Sequence, residues 1–515
     1  MAEAGRQRTW WETLVAYRHP RVVTMLFLGF SAGLPLLLIF STLSLWLREA
    51  EVSRSTVTYF SWAALGYSFK FIWAPIVDRM SLPWLTSLLG RRRSWLLLAQ
   101  FSVICAILWM AFTDPTESLT PMALAAVLLG FSGATQDIVI DAYRIESAEA
   151  DLQALMSSTY IAGYRIGMLV AGAGALKLAA AFGVEGEYHY QAWHLTYIAM
   201  AMVMLIGVAT TLAIREPEIA PREGGFLGSL SDTLRFLALF LVVVLSFVGV
   251  FFFTQDVAGE IKQRWMENAV INKTLAAFLV ESLRLFAAVI VAFVVARAAV
   301  LIGLARGEML RETYLEPMAD FFHRYGRPAL LILALVGLYR ISDIVLGVIS
   351  NVFYQDMGFT KDQIADITKT FGLVMTIVGG FLGGMLSLRY GVMRILFLGA
   401  LLSAATNLLF MLLAQTGDNV PMLIMVITAD NLSAGVAGAA FVAYLSSLTN
   451  ISFTAFQYAL FSSLMTLLPK LLGGYSGSIV DSVGYERFFL FTALLGVPVL
   501  LLVYLAGRLS PPRVS

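Results

Sequence analysis

The sequence predicts an all-helical (all-α) polytopic membrane protein. Of its 515 residues, 59% are hydrophobic and only 13% are charged, whereas soluble domains carry about 25% charged residues. Apolar runs long enough to span a bilayer recur along the whole chain. The net charge of +1 gives no reason to expect a nucleic acid as a partner. A single cysteine, Cys105, cannot form a disulfide within the chain.

Fourteen membrane-spanning helices are predicted from these runs. The first run is longer than the apolar core of a cleaved signal peptide, which has about 7–15 residues, so we predict a retained helix there. The predicted spans cover residues 22–47, 56–79, 94–113, 120–143, 153–181, 192–214, 233–254, 277–304, 328–354, 363–388, 392–415, 420–447, 454–481 and 486–507.

Charges in the short loops predict the orientation of the spans. Lys and Arg are enriched in cytoplasmic loops, and arginines cluster before the first span, between the second and third spans, and after the last one. Both termini are therefore expected in the cytoplasm. The loop 255–276 goes against this assignment, because it would put Lys262, Arg264 and Lys273 outside. Two helices more or fewer leave the orientation of the second half unchanged.

An internal repeat divides the spans into two sets of six. The turn before the second span reads VSRSTVTYFS from Val52, and a similar turn, FTKDQIADIT, starts at Phe359. In the second turn, Thr360 and Gln363 have the spacing of a capping box. Six helices with their loops need about 200 residues, so about 100 residues are inserted between the two sets. We predict an N-terminal half, a linker with two additional helices and a C-terminal half at residues 1–217, 218–327 and 328–515.

The most informative stretch is ATQDIVIDAYR, residues 134–144, because it brings charges into the fourth predicted span. A charge at the bilayer centre costs roughly 2.5–3.5 kcal/mol even on the lenient insertion scale, so such residues usually face a polar cavity and carry function. Asp137, Asp141 and Arg144 stand at i, i+4 and i+7, which is one face of a helix. The stretch therefore predicts a polar cavity inside the bundle.

The loop after the second span places Asp78 ahead of three arginines, Arg91, Arg92 and Arg93. It resembles the acidic and basic loop that follows the second helix in major facilitator superfamily transporters, although it is longer than that compact motif. The resemblance implies a cytoplasmic gate in which Asp78 pairs with one of the arginines and holds the outward-open state. Arg144, at the cytoplasmic end of its span, is assigned to the same gate. The alternative is a positive-inside loop with no gating role.

Five further motifs resemble the AmpG-type muropeptide permeases and follow one another along nearly the whole chain. They are GFSAGLPL, TQDIVIDAY, AGYRIGMLV, TKTFGL and DNLSAGVAGAAFVA, starting at Gly29, Thr135, Ala162, Thr368 and Asp430. The resemblance implies a major facilitator fold in the bacterial inner membrane, and proton-driven import of anhydro-muropeptides, GlcNAc-anhydroMurNAc with or without peptide. Asp430 departs from the glutamate expected there, and Arg340 from a lysine; both keep the charge. Related transporters carry siderophores or acetyl-CoA, which stay alternative cargoes.

Several residues within the spans are candidates for binding such a cargo. Hydroxyls, amides and positive charges suit a sugar and a carboxylate, and the candidates are Gly29, Gln136, Tyr160, Tyr164, Arg165, Arg340, Lys369 and Asn431. Arg165, in mid-span, requires either a carboxylate partner or an anionic ligand. Arg340 and Asp343 stand at i and i+3, so mutual neutralisation is the alternative to ligand binding. For Lys369 the alternative is snorkelling to the membrane interface.

Four aspartates are candidates for carrying a coupled proton, since ionisable groups inside a membrane often form proton relays. Asp137 is the first choice because it lies deeper in its span than Asp141, the second choice. Arg144 is expected to keep Asp141 ionised, which suits Asp141 to gating instead. Asp430 and Asp343 follow. The rival interpretation is that Asp137 only binds cargo.

Glycines at four-residue spacing indicate close contacts between helices. Gly163 with Gly167, and the pairs at 379–380 and 383–384, predict where the two halves meet. Ordinary packing within a half is the alternative, because glycine is common in membrane helices.

Other classes of function find little support in the sequence. The four histidines fall in loops or at helix ends, and neither a zinc-protease motif nor a phosphate-binding loop is present. We therefore expect a transporter that is not an enzyme and needs no metal or cofactor. A passive channel fits less well, because repeated halves with buried carboxylates are typical of alternating access. The expected partners are a small muropeptide, protons and the lipid bilayer, with the chain acting as a monomer.

Overall fold

All regular secondary structure in the described part of the chain is helical, as the sequence predicts. The structure is a computed structural model that describes residues 9–53, 60, 65–183, 188–218, 230–267, 273–360, 363–473 and 475–509.

The helices up to residue 217 are joined by short turns. They are α1 (Trp10–Ala16), α2 (Pro20–Ile39), α3 (Ser41–Glu49), α4 (Leu65–Phe69), α5 (Ala74–Arg79), α6 (Leu85–Leu89), α7 (Arg91–Ala111), α8 (Leu119–Ser147), α9 (Ala150–Leu169), α10 (Ala175–Phe182) and α11 (Tyr190–Ala213). A 3-10 turn, Lys70–Ile72, follows α4, and a π turn, Val170–Gly174, joins α9 to α10. Gly90 has φ 87° between α6 and α7, a conformation that costs glycine little. The chain can therefore turn sharply just before the three arginines.

The rest of the chain is built in the same way. Its helices are α12 (Leu230–Phe253), α13 (Gln255–Glu267), α14 (Lys273–Leu301), α15 (Gly307–Leu310), α16 (Glu316–Tyr325), α17 (Ala329–Leu338), α18 (Ile341–Asp356), α19 (Gly372–Tyr390), α20 (Val392–Thr416), α21 (Val420–Leu448), α22 (Thr454–Gly473) and α23 (Ser476–Leu509). π turns occupy Arg311–Leu315 and Ile364–Phe371. Thr360 and Gln363 bond reciprocally as a capping box, which confirms that prediction. Gly484, at φ 81°, interrupts α23 between the last two predicted spans.

Eleven helical stretches of the described chain are long and apolar enough to cross a membrane. Two shorter apolar helices, Phe286–Leu301 and Ile451–Leu467, fall on two more predicted spans. The remaining predicted span, 56–79, lies partly outside the described residues. The number fourteen therefore stays a prediction.

Apolar side chains form separate cores in the two parts of the chain. One core consists of residues from Phe321 to Ala506, with Ile145 added from the first half. Two others are formed mainly by residues between Val22 and Met204. Phe236 of α12 belongs to one of these, so the linker helices pack against the first half. The predicted boundaries at 217 and 327 agree with this distribution but remain predictions.

Glycines allow α2 and α9 to touch backbone to backbone. A Cβ on Gly29 would lie 2.2 Å from the Tyr160 carbonyl oxygen, and one on Gly163 would lie 2.0 Å from that of Leu26. Gly163 and Gly167 therefore pack inside the first half, so the prediction that they mark the meeting of the halves is wrong. The prediction is confirmed for Gly384, whose Cβ would lie 2.6 Å from Ser158 Oγ, but it is wrong for Gly379 and Gly383, which meet Leu432 and Val436 of the second half.

Candidate functional site

Residues 134–144 form the inner part of α8, and all of them are buried. Gln136 and Arg144 have no exposed surface, and Asp137 is 7% exposed. Burial on every side follows from the position of α8 between α2, α7 and α22. The polar residues of α8 therefore face the interior of the bundle, as the sequence predicts.

Asp141 lies between two positive charges. Its carboxylate is 3.2 Å from Arg144 Nη2 and 3.6 Å from Lys70 Nζ in the 3-10 turn. Buried charges of opposite sign stabilise one another when they are paired. The predicted pairing of Asp141 with Arg144 is present, and Lys70 adds a second cation from another helix.

Asp137, one turn away from Asp141, has a different environment. Its Oδ1 atom is buried without a hydrogen-bond partner in the protein, and so are Gln136 Oε1 and the Tyr67 hydroxyl. Lys70 and Asp141 act on Asp137 electrostatically, and Tyr160 lies beside it. A buried polar atom without a partner costs about 1–3 kcal/mol. Such atoms favour the binding of a polar ligand or a proton. We call Tyr67, Gln136 and Asp137 the polar cluster.

Two arginines from opposite halves of the chain act on each other electrostatically. Arg165 in α9 and Arg340, between α17 and α18, are close enough for the charge of one to act on the other. Neither of them forms an ion pair with a residue in the described part of the chain. Tyr164 acts on Arg165 electrostatically, and its ring centroid lies 6.0 Å from that of Tyr160. Two like charges that act on each other suit an anionic ligand, which would compensate both.

The carboxyl groups of the second half form a separate group. Asp343 in α18 and Asp430 in α21 act on each other electrostatically. Arg340 acts on Asp343 electrostatically, although the two form no ion pair in the described chain. Asn431 has protein partners, since it accepts a hydrogen bond from Thr376 Oγ1 at 2.8 Å.

Two predicted binding residues have surroundings that differ from the expectation. Gly29 contacts the backbone of α9, which leaves no room for a ligand there, and it serves helix packing instead. Lys369 is exposed and donates to Asn351 Oδ1 at 2.8 Å. The alternative of an interfacial lysine fits this exposed position.

Asp78 is the centre of a network at one end of the bundle, which we call the arginine end because Arg91, Arg92 and Arg93 lie there. Arg92 Nη2 donates to Asp78 Oδ1 at 2.8 Å, and Arg92 also binds Glu146 of α8. Arg91 donates to the backbone carbonyl of Asp78 at 2.7 Å. The predicted pair is thus formed by Arg92.

Arg93 and Glu216 hold this network in place. Arg93 donates to the Thr211 carbonyl at the end of α11 at 3.0 Å. Glu216 accepts from the backbone amides of Arg92 and Arg93 at 2.6 and 3.0 Å. A carboxylate at a helix N-terminus satisfies free amides and interacts favourably with the helix dipole. The sequence reasoning did not single out Glu216 or Glu146, although Glu146 lies two residues after Arg144 in the same helix.

Asp78 also joins the two halves. Its carboxylate accepts from the backbone amides of Ala455 and Phe456 at 3.0 and 2.9 Å. These amides belong to the first turn of α22, where backbone donors lack partners within the helix. Separation of the halves at the arginine end would therefore break charge-assisted hydrogen bonds.

Arg144 makes a second junction between the halves. It donates to Ser446 Oγ of α21 at 2.6 Å and lies over the Tyr458 ring of α22, 5.1 Å from the centroid. Ser157 in α9 accepts from the same guanidinium at 3.1 Å. Ser157, Ser446 and Tyr458 were not identified from the sequence, because their contacts come from distant helices.

Tyr17, just before α2, forms a third junction. Its hydroxyl donates to the Phe381 carbonyl of α19 at 2.8 Å and lies 3.0 Å from Ser158 Oγ. Burial raises the pKa of Tyr17, so the hydroxyl stays protonated and keeps its donor. All three junctions lie toward the arginine end, which is closed in this structure.

Comparison with solved structures identifies the fold. The chain aligns with the proton:xylose symporter XylE bound to 6-bromo-6-deoxy-D-glucose, with a TM-score of 0.59, 14% identity and 95% of each chain covered. It aligns with the Escherichia coli fucose:proton symporter FucP with a TM-score of 0.58 and 11% identity, covering 96% of this chain and 98% of that one. Residues 329–515 match the family model Major Facilitator Superfamily, and residues 21–118 match the model Acetyl-coenzyme A transporter 1. The protein is a membrane transporter with the major facilitator fold.

Sequence relatives narrow this further. The chain is 30% identical over 495 residues to a Rickettsia conorii protein described as putative transporter AmpG 4, covering 96% of this chain and 98% of that one. It is 29% identical over 488 residues to the anhydromuropeptide permease of Escherichia coli, covering 95% of this chain and 80% of that one. The chain belongs to the AmpG transporter family.

Proposed function

We propose that the protein imports anhydro-muropeptides, GlcNAc-anhydroMurNAc with or without its peptide, across the bacterial inner membrane in symport with protons. The observation that carries the proposal is that Arg165 and Arg340, two partly buried arginines from opposite halves, act on each other electrostatically and form no ion pair in the described chain. A muramic acid derivative provides sugar hydroxyls for the tyrosines and, in its lactyl group or peptide, a carboxylate for the arginines. The description of the Escherichia coli relative as an anhydromuropeptide permease supports the same cargo.

The transport cycle follows from the positions of the charged groups. Cargo enters from the side opposite the arginine end and binds between Arg165 and Arg340, with Gln136, Tyr160 and Tyr164 contributing polar contacts. Asp137 takes up the proton, because it is buried beside atoms without hydrogen-bond partners. The arginine end then opens toward the cytoplasm, which separates Asp78 and Arg144 from α22.

Acetyl-CoA is the second candidate cargo, because residues 21–118 match an acetyl-coenzyme A transporter model. Its phosphates are also anions, so the arginine pair alone does not distinguish the two.

Uptake into proteoliposomes tests the proposal. Purified protein is reconstituted, a pH gradient is imposed, and the uptake of labelled anhydro-disaccharide, of its peptide-bearing form and of acetyl-CoA is measured. We expect concentrative uptake of at least one muropeptide, lost when the gradient is collapsed. Uptake of acetyl-CoA without any muropeptide would contradict the proposed cargo. Muropeptide uptake that is insensitive to the gradient would contradict proton coupling.

A further inference from the structure

The segment Gly307–Tyr325, at the end of the linker, crosses the boundary between the two halves. It consists of α15, the π turn Arg311–Leu315 and α16 without interruption. We call it the strap. Its contacts on the two sides differ in kind, and both lie next to the Asp78 network.

The first part of the strap is attached to the N-terminal half. Glu312 forms an ion pair with Arg79 at 2.8 Å, and its backbone carbonyl also accepts from Arg79. The Tyr314 hydroxyl donates to the Ile72 carbonyl at 2.8 Å. The Glu312 side chain is 26% exposed. An ion pair that water reaches contributes little to stability, whereas Met309 in the same part of the strap is fully buried, so the Glu312 ion pair is the weaker part of this attachment.

The second part of the strap is attached to the C-terminal half. Asp320 accepts from Asn450 Nδ2 and from Gln457 Nε2, each at 2.9 Å. Gln457 also donates to the Pro317 carbonyl at 2.8 Å. Phe321 is 2% exposed and packs 5.3 Å from the Phe461 ring. A buried aromatic contact together with several satisfied polar groups holds this part of the strap to the C-terminal half.

Each attachment is adjacent to a gate residue in the sequence. Arg79 follows Asp78 in the sequence. Gln457 follows Phe456, whose backbone amide donates a hydrogen bond to the Asp78 carboxylate. When Asp78 moves away from α22, the strap cannot keep both attachments, because their anchors move apart with the two halves. The π turn lies between the two attachments, and π turns are often found where a helix changes shape for function.

We propose that the strap is a latch on the arginine end. It stabilises the closed arginine end through Glu312 and Arg79, and it stays on the C-terminal half when that end opens, releasing the N-terminal half. The latch rests on the proposed function only in requiring that the two halves separate at this end during transport.

Hydrogen exchange at the backbone amides of residues 454–460 reports on opening without any cargo. Glu312→Gln should raise the exchange rate of these amides about fivefold, the size expected for loss of a partly exposed ion pair. Glu308→Gln is the matched control, since Glu308 is exposed one turn earlier in the same segment, and it should leave the rate unchanged. Equal rates in the two variants would overturn the latch.

Cross-links between paired cysteines, used here as tethers, identify which attachment of the strap breaks when the arginine end opens. In a Cys105→Ser background, Arg79→Cys with Glu312→Cys, and Asp320→Cys with Asn450→Cys, are each joined by a short bis-methanethiosulfonate reagent. Exchange at 454–460 and muropeptide uptake are compared before and after reduction. We expect the first tether to keep the amides protected and to abolish uptake until it is reduced, and the second to change both by less than twofold.

Continued uptake with the first tether in place, or loss of uptake with the second tether in place, would overturn the proposed direction of release. Exchange that follows the expected pattern in a protein that takes up no muropeptide supports the latch and refutes the cargo.

Discussion

Asp137 and Asp141 are one helical turn apart in α8, yet their neighbours give them different chemistry. Asp141 is paired with Arg144 and Lys70, so its charge is compensated in the folded protein. Asp137 has a buried oxygen without a protein hydrogen-bond partner, and Gln136 Oε1 and the Tyr67 hydroxyl are similarly unpartnered. Asp141 is therefore suited to holding the halves together, and Asp137 is suited to the exchange of a ligand or a proton.

Replacing Asp137 by asparagine separates proton coupling from cargo binding. We expect Asp137→Asn to lose accumulation driven by a pH gradient while exchange of labelled for unlabelled muropeptide across the proteoliposome membrane continues, because an amide binds sugar but carries no proton. Asp418→Asn, at an exposed loop aspartate, is the control. Loss of exchange together with accumulation would assign Asp137 to the cargo site.

Arg165→Gln tests the anion site. Removing one of two unpaired guanidinium groups should weaken uptake of the acidic muropeptide about tenfold or more, the effect of a charge-assisted hydrogen bond of roughly 1.5–3 kcal/mol. Uptake of an analogue with an amidated carboxyl should change much less. Arg394→Gln, at an exposed arginine, is the control. Equal losses for both cargoes would indicate a structural role.

At the scale of helices, the contact between α2 and α9 explains why the first half holds its shape. Glycines on both helices remove the side chains that would separate the backbones, and in a membrane such close approach is a main source of helix association. The contact positions α9, which carries Tyr160, Tyr164 and Arg165, against the helix that begins the chain's first span.

Gly163→Ala should disrupt this contact. The new methyl group would lie 2.0 Å from the Leu26 carbonyl oxygen, so the helices must move apart, at a cost of about 1–3 kcal/mol. We expect a lower unfolding temperature in detergent, measured by tryptophan fluorescence. Gly347→Ala, with nothing within 4 Å of its Cβ position, should unfold at or slightly above the temperature of the unchanged protein. A Gly163→Ala protein as stable as this control would contradict the close contact.

At the scale of the whole molecule, the arginine end is closed by three junctions that differ in chemistry. Asp78 caps α22, Arg144 binds Ser446 and Tyr458, and Tyr17 donates to the Phe381 carbonyl. All are polar contacts between groups that water can also solvate, so breaking them exchanges one set of hydrogen bonds for another. This is the property required of a gate that opens in each cycle.

Asp78→Asn should open the arginine end more often. The variant loses the charge that pairs with Arg92 and that interacts with the α22 dipole. A cysteine at Ala459, which is 1% exposed and packs against the first half, should then react several times faster with a membrane-impermeant maleimide in a Cys105→Ser background. Asp418→Asn again serves as the control. Unchanged labelling with normal transport would leave the arginines only a role in orientation.

The sequence by itself determined the helical membrane class, the family and the residues of α8, because these depend on local composition, on periodicity and on motifs read along the chain. It also predicted the pairing of Asp78 with the arginine cluster. Only the tertiary structure decided that Arg92 is the partner, that Asp78 caps α22, and that Arg165 and Arg340 act on each other across the two halves. It also reassigned Gly29 and Gly163 to helix packing. These contacts join residues far apart in sequence, and helix packing, which a single sequence does not specify, fixes which of them meet.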